Sequence, residues 1–218
     1  MPDIYYVYYV FYAIELITFI VGSYFIKRVN KDFLLLYFFV LAGVLSDSVN
    51  ILLIKLGLHN MPVTHFYFPI EFTLLALFYK PYLAPVLKGK WISLIIAIYI
   101  TFALINPLFI QSLQLYSQMR IYSSLILVVF SLLYFYRLLN ELNISKLSAD
   151  PMVWLNSSIL ILYSANFFYN LLFNLLLRDL HVLLLVAIFI GCLVSLFYVI
   201  IVISFWKAAK QQKAIADG

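Results

Sequence analysis

The chain alternates between long apolar runs and short polar joins. Seven runs reach about 20 residues, the length at which an α-helix crosses the hydrocarbon core of a bilayer. The pattern predicts transmembrane helices at Ile4–Ile26, Phe33–Leu58, His65–Leu83, Trp91–Ile110, Ile121–Leu142, Met152–Leu177 and Val182–Trp206. We therefore predict an all-α fold, a polytopic membrane bundle that forms a single domain over residues 1–206, followed by a short basic tail at 207–218.

The composition also indicates that the folded chain is surrounded by lipid. Of the 218 residues, 66% are hydrophobic and 11% are charged, whereas a soluble domain has about a quarter of its residues charged. This excludes the soluble globular class. The net charge of +5 does not predict a nucleic-acid partner, because basic joins of this kind set the orientation of membrane proteins. The single cysteine, Cys192, excludes an intrachain disulfide.

The basic residues are distributed unevenly between the two predicted sides of the membrane. Eleven of the 14 Lys and Arg residues lie on the side that carries the tail, and only Lys55, Arg120 and Arg178 lie on the other. Cytoplasmic joins carry an excess of Lys and Arg. We therefore predict that the N-terminus is outside and the C-terminus is in the cytoplasm.

A weak internal repeat is visible at a shift of 119 residues. The shift places Phe33–Leu58 on Met152–Leu177 and Asp47 on Asn166. The spacing predicts a 3+1+3 arrangement, in which two parallel triplets are joined by the fourth helix. Parallel repeats of this kind place a binding site near the midplane, at their interface.

Three carboxylic acids lie inside predicted helices. They are Glu15, Asp47 and Glu71. An ionisable side chain in hydrocarbon is costly, and it usually faces the bundle interior and has a function. Gly43, one turn from Asp47, predicts a close approach of another helix.

The sixth predicted helix carries a stripe of polar side chains, which is formed by Asn156, Tyr163, Asn166, Asn170 and Asn174. Asn side chains in hydrocarbon need partners, so the stripe is expected to face other helices or water. We predict a ligand-binding chamber that opens outward and is lined by Glu15, Asp47, Asn50, Glu71, Asn166 and Asn170. For Asn156 and Asn174 we favour a packing role.

A metal site is a weaker hypothesis. His65 lies close in sequence to Glu71, and His and carboxylate side chains are ordinary zinc ligands. A zinc ion held by His65, Asp47 and Glu71 would suit a hydrolase that acts on a lipid-like substrate. No HExxH motif or paired-His spacing supports this hypothesis, and no cofactor is predicted with any force.

The 3+1+3 layout resembles that of the SWEET and PQ-loop transporters and of the microbial rhodopsins. The chain lacks the Pro-Gln pairs of the first group. Val182–Trp206 has no lysine, so a covalent retinal cofactor does not carry over from the second. The segments HNMPVTHFYFPIEF and VWLNSSILILYSANFF resemble small, uncharacterised seven-helix proteins of Bacteroidetes-type bacteria. That resemblance implies the bacterial inner (cytoplasmic) membrane.

Three functions remain open from the sequence. The first is binding or transport of a small ligand or proton at the acidic and Asn chamber, and we favour it. The second is the metal-dependent hydrolase. The third is a seven-helix sensor that acts through a separate signalling partner. The expected partners are membrane lipid, the ligand or proton, and either a second copy of the chain or a signalling protein.

Overall fold

The computed structural model describes the backbone of residues 3–140 and 150–216, and within these ranges it describes all side chains except those of residues 3–7, 174 and 213–216. In this part of the chain the fold is entirely helical. The helices are α1 Asp3–Phe25, α2 Lys31–Lys55, α3 Met61–Leu83, α4 Gly89–Phe109, α5 Met119–Asn140, α6 Pro151–Leu176 and α7 Leu180–Ala216. A short 3-10 helix, Ile26–Arg28, follows α1.

The seven predicted helices are confirmed in position, and three boundaries differ by more than two residues. Helix α3 begins at Met61 rather than His65, with Pro62 in its first turn, where proline fits well. Helix α2 ends at Lys55 rather than Leu58, because Gly57 turns the chain with a left-handed φ of 68°.

The predicted end of the seventh helix, Trp206, is wrong, whereas the tail at 207–218 stays a prediction. Helix α7 continues past Trp206 to Ala216, through a segment of Lys, Ala and Gln residues. These are strong helix formers, so the helix can continue where the apolar run stops. The predicted end of the fifth helix, Leu142, lies outside the described residues.

Side chains close the starts of two helices. The carboxamide oxygen of Asn30 accepts a hydrogen bond from the Phe33 amide at the start of α2. The Asp150 carboxylate accepts one from the Met152 amide at the start of α6, at 2.8 Å. Such caps satisfy amides that have no partner within the helix.

The helices pack in a ring with one helix outside it. Going around the ring, α1 packs on α2, α2 on α3, α3 on α5, α5 on α6, α6 on α7, and α7 on α1. Helix α4 packs chiefly on α3, outside the ring. This position suits a helix that links two triplets, but the 3+1+3 repeat itself stays a prediction.

Six of the described helices, all except α6, are long and apolar enough to cross a membrane. Helix α6 lies between α5 and α7, so its span through the bilayer is still expected. Large apolar side chains cover the outer surface, and Phe109, for example, is 82% exposed. The chain therefore has the architecture of a helical membrane protein.

Candidate functional site

Glu71 is held by two partners from other helices. Its side chain lies on α3 and is buried. It forms an ion pair with the guanidinium of Arg120 on α5 and accepts a hydrogen bond from the hydroxyl of Tyr163 on α6. Three helices therefore meet at this carboxylate.

The position of Arg120 corrects the sequence prediction. We placed Arg120 in an external join, but it lies in the first turn of α5 and is only 8% exposed. Its guanidinium carbon is 4.8 Å from the ring centroid of Phe68 and 5.3 Å from that of Tyr163. Cation–π contacts of this kind are strong where water is excluded. The ion pair and the two rings together compensate the burial of the arginine.

Glu15 and Asp47 form a second acidic group. Glu15 on α1 is 3% exposed and accepts a hydrogen bond from the hydroxyl of Tyr198 on α7. The half-buried Asp47 on α2 lies near the polar side chains of Glu15, Asn50 and Tyr8. Within the described residues, neither Glu15 nor Asp47 forms a salt bridge. The pair therefore has polar partners but no positive charge to neutralise it.

Gly43 on α2 makes room for the Glu15 carboxyl group. A Cβ atom at this position would clash with Oε1 of Glu15 and would lie 2.8 Å from the Tyr198 hydroxyl. The close approach that the sequence predicted at Gly43 is confirmed. The helix surface that contacts Glu15 is therefore main chain rather than side chain.

The two acidic groups are neighbours. Glu71 is within electrostatic range of both Glu15 and Asp47. Tyr67 on α3 is within range of both Glu15 and Glu71. Among the described residues the three acids therefore lie within electrostatic range of one another, and only Glu71 is paired with a cation.

The Asn residues of α6 have different surroundings. The Asn166 carboxamide donates to the Leu162 carbonyl at 3.1 Å, and that of Asn170 donates to the Asn166 carbonyl at 2.7 Å. Both of these bonds stay within α6, so they do not join the Asn side chains to the acids. The side chain of Asn174 lies outside those described.

Asn156 belongs to a separate, uncharged cluster. Its carboxamide accepts a hydrogen bond from the Tyr79 hydroxyl at 2.6 Å and donates to the Ser131 carbonyl at 3.2 Å. The Tyr79 and Ser131 hydroxyls are 2.7 Å apart. These contacts join α3, α5 and α6, as expected for the packing role that we favoured for Asn156.

The proposed zinc set of His65, Asp47 and Glu71 is not assembled. His65 Nε2 lies 2.9 Å from the carbonyl of Leu115, in the join between α4 and α5. Among the residues that the structure describes, no three His, Cys, Asp or Glu side chains are grouped closely enough to hold a metal. The ring is directed to the join because this carbonyl provides a hydrogen-bond partner.

The join between α4 and α5 is also polar. The Gln111 carboxamide donates to the Tyr116 carbonyl at 2.7 Å and accepts from Asn106 at 3.1 Å. Desolvation raises the pKa of the Tyr116 hydroxyl to about 12, and the nearby Arg120 guanidinium acts in the opposite direction. Tyr116 therefore stays a neutral hydroxyl at neutral pH.

Sequence reasoning did not assign Arg120, Tyr163, Tyr198 and Tyr8 to the site. Arg120 stands at the start of an apolar run, and this was the available signal. A long side chain at a helix start can reach a partner inside the membrane. Tyr163 was placed in the polar stripe of the sixth helix but not in the chamber. Tyr8 and Tyr198 were not predicted to line the chamber, because the chain has 18 tyrosines.

Comparisons with known proteins gave no relative. No family model matches the chain, and neither the curated proteins nor the solved structures contain a significant match. The resemblance to Bacteroidetes-type proteins stays a prediction.

Proposed function

We propose that this membrane protein binds or transports a small ligand or ion, most simply a proton, at the buried acid pair Glu15–Asp47. Asn50 borders the pair, and Glu71 with its partner Arg120 lies beside it. Asn166 and Asn170 remain proposed lining residues on the α6 side. The site opens toward the end of the bundle where α3 and α5 begin.

The observation that carries this proposal is the excess of acid in the buried region. Three carboxyl groups stand against one guanidinium, and the guanidinium is paired with Glu71. Like charges at short range in a medium of low dielectric repel strongly. Two carboxyl groups close to each other also favour a proton on one of them. Glu15 and Asp47 therefore require a proton or another small cation.

We further propose that the protein lies in a bacterial inner membrane with its N-terminus outside. The burial of Arg120 supports this orientation, because it removes one of the three basic residues that were counted on the external side. The other two, Lys55 and Arg178, remain exposed.

Proton flux into proteoliposomes tests the function. A pH-sensitive dye inside the vesicles should report flux driven by a potassium diffusion potential. Glu15→Gln and Asp47→Asn should each abolish it, because each removes an ionisable group from the pair. Asp179→Asn is the matched control, since Asp179 is exposed and caps α7 through hydrogen bonds that asparagine also accepts.

Two outcomes would replace the proposal. Equal flux in Glu15→Gln and in the unsubstituted protein would remove the acid pair from the mechanism. Absence of flux, together with a signalling protein that co-purifies with the chain, would favour the sensor hypothesis.

A further inference from the structure

Four buried side chains near the Arg120–Glu71 pair carry polar atoms without a partner. These atoms are Nδ1 of His65, Oγ of Ser117, Nε of Arg120 and Oγ of Ser124, and none has a hydrogen-bond partner within the described part of the chain. The four residues are between 0% and 8% exposed. Leaving such a group unpaired is destabilising, and more so if the group is charged. Four in one region therefore indicate an occupant that hydrogen-bonds to them.

The four groups follow one helix interface. Ser117 lies in the join two residues before α5, and Arg120 and Ser124 lie about one turn apart at the start of α5. His65 faces them from α3, where its ring contacts the Leu115 carbonyl. The Ser117 amide donates to the Thr64 hydroxyl at 3.3 Å, which holds the join against α3. The groups thus lead from the end of the bundle toward the Glu71 carboxylate.

The hydrogen-bonding properties of these four groups restrict which molecule can bind beside them. The Leu115 carbonyl can only accept, so Nε2 of His65 donates to it, and in the neutral ring Nδ1 is an acceptor. Nε of Arg120 can only donate, and the two serine hydroxyls can do either. The occupant must therefore both donate and accept hydrogen bonds. Water does so and commonly fills buried polar sites.

A bound anion does not fit this arrangement. Glu71 already neutralises Arg120, and Glu15 and Asp47 add negative potential nearby. The field in this region therefore attracts cations and repels anions.

We propose that His65, Ser117, Arg120 and Ser124 line a water-filled, cation-selective inlet that leads from the start of α5 to Glu71. The inference rests on the proposed function, because the inlet would supply the Glu15–Asp47 pair with its proton or cation. Tyr67, which lies within range of both Glu15 and Glu71, would border the passage between the two parts of the site.

Cysteine accessibility tests the inlet. Ser117→Cys and Ser124→Cys are made in a Cys192→Ala background, which leaves one thiol in each protein. Proteoliposomes are then treated with membrane-impermeant methanethiosulfonates, one bearing a trimethylammonium group and the other a sulfonate. Both thiols should react, and the cationic reagent should react about tenfold faster or more once each rate is divided by the rate of that reagent with a free thiol in solution. The matched control is Ser131→Cys, since Ser131 is 0% exposed and lies on α5 in the uncharged Tyr79 cluster.

A second measurement avoids substitution. Hydroxyl-radical footprinting of the unsubstituted protein should oxidise Phe68, which lies against the Arg120 guanidinium, more than Phe78, which is 0% exposed. Equal protection of these rings, or equal protection of the thiols at 124 and 131, would overturn the inlet. Equal rates with the two reagents, after the same normalisation, would overturn its selectivity for cations.

The two proposals fail separately. A reactive, cation-selective inlet without proton flux would contradict the proposed function and leave the inlet standing. Flux that depends on Glu15 and Asp47, with unreactive thiols at 117 and 124, would contradict the inlet alone.

Discussion

Two buried polar clusters join α3, α5 and α6, and they differ in charge. In one, Tyr79, Ser131 and Asn156 exchange hydrogen bonds and carry no charge. In the other, Tyr163 and Arg120 both bind the ionised Glu71. Neutral polar side chains are common contacts between membrane helices, whereas buried ion pairs are rare and costly to desolvate. The same three helices thus contain a packing contact and a candidate site.

The comparison also separates packing residues from candidate ligands. Every member of the uncharged cluster has its partner within the cluster. In the charged cluster, the Nε of Arg120 is unpartnered among the described residues, and the neighbouring Glu15–Asp47 pair has no cation. Unbalanced charge, rather than polarity alone, therefore distinguishes the region that would bind a ligand or ion.

The largest effect is expected from Arg120→Met. The substitution leaves Glu71 buried with no cation, so we expect a loss of about 3–5 kcal/mol in the free energy of unfolding. Denaturant unfolding in detergent micelles, followed by circular dichroism, measures it.

Removing both charges provides the control. The double variant Glu71→Met, Arg120→Met should recover most of the loss, because a buried ion pair replaced by apolar side chains is often neutral in stability. A double variant as unstable as Arg120→Met would mean that the arginine stabilises the bundle by packing on Phe68 and Tyr163 rather than by charge.

The next prediction compares two tyrosines. Tyr163→Phe removes a hydrogen bond to a charged carboxylate, which contributes about 1.5–3 kcal/mol, whereas Tyr79→Phe removes hydrogen bonds between neutral groups, each of which contributes about 0.5–1.5 kcal/mol. Unfolding of the two variants under identical conditions should show the larger loss per hydrogen bond removed for Tyr163→Phe. The reverse order would show that the charge on Glu71 adds nothing to this contact.

Gly43→Ala should cost about 1–3 kcal/mol, because the added Cβ displaces the Glu15 carboxyl from a tightly packed position. Thermal unfolding of the purified protein measures the loss. Combining it with Glu15→Ala frees the space, so the double variant should lose less than the sum of the single variants. Strict additivity would show that Gly43 and Glu15 are not in contact in the folded protein.

The sequence was sufficient to predict the positions of the helices, because a long apolar run is a local pattern. It also identified Glu15, Asp47 and Glu71 as unusual, since an acid in an apolar run is conspicuous by itself. The predicted position of Arg120 was wrong, because its burial depends on a partner 49 residues away in the chain. A pattern of neighbouring residues contains no information about such a pair.

The metal hypothesis failed for a similar reason. His65 is close to Glu71 in sequence, but the direction of its ring is set by the Leu115 carbonyl, 50 residues away. The continuation of α7 to Ala216 was available from the sequence, because Lys, Ala and Gln favour helix. We ended the helix at Trp206 because we followed apolarity alone.

The smallest effect is expected from Asn170→Ala. The lost hydrogen bond runs to a carbonyl of the same helix, and alanine has the higher helix propensity, so the two effects nearly cancel. We expect a change within about 0.5 kcal/mol, whereas Asn156→Ala should lose about 1–3 kcal/mol, because it leaves polar partners on α3 and α5 unpaired. Denaturant unfolding of the two variants side by side measures the difference. A loss for Asn170→Ala as large as that for Asn156→Ala would show that Asn170 has a partner beyond its own helix, and the division between packing and site residues on α6 would then have to be redrawn.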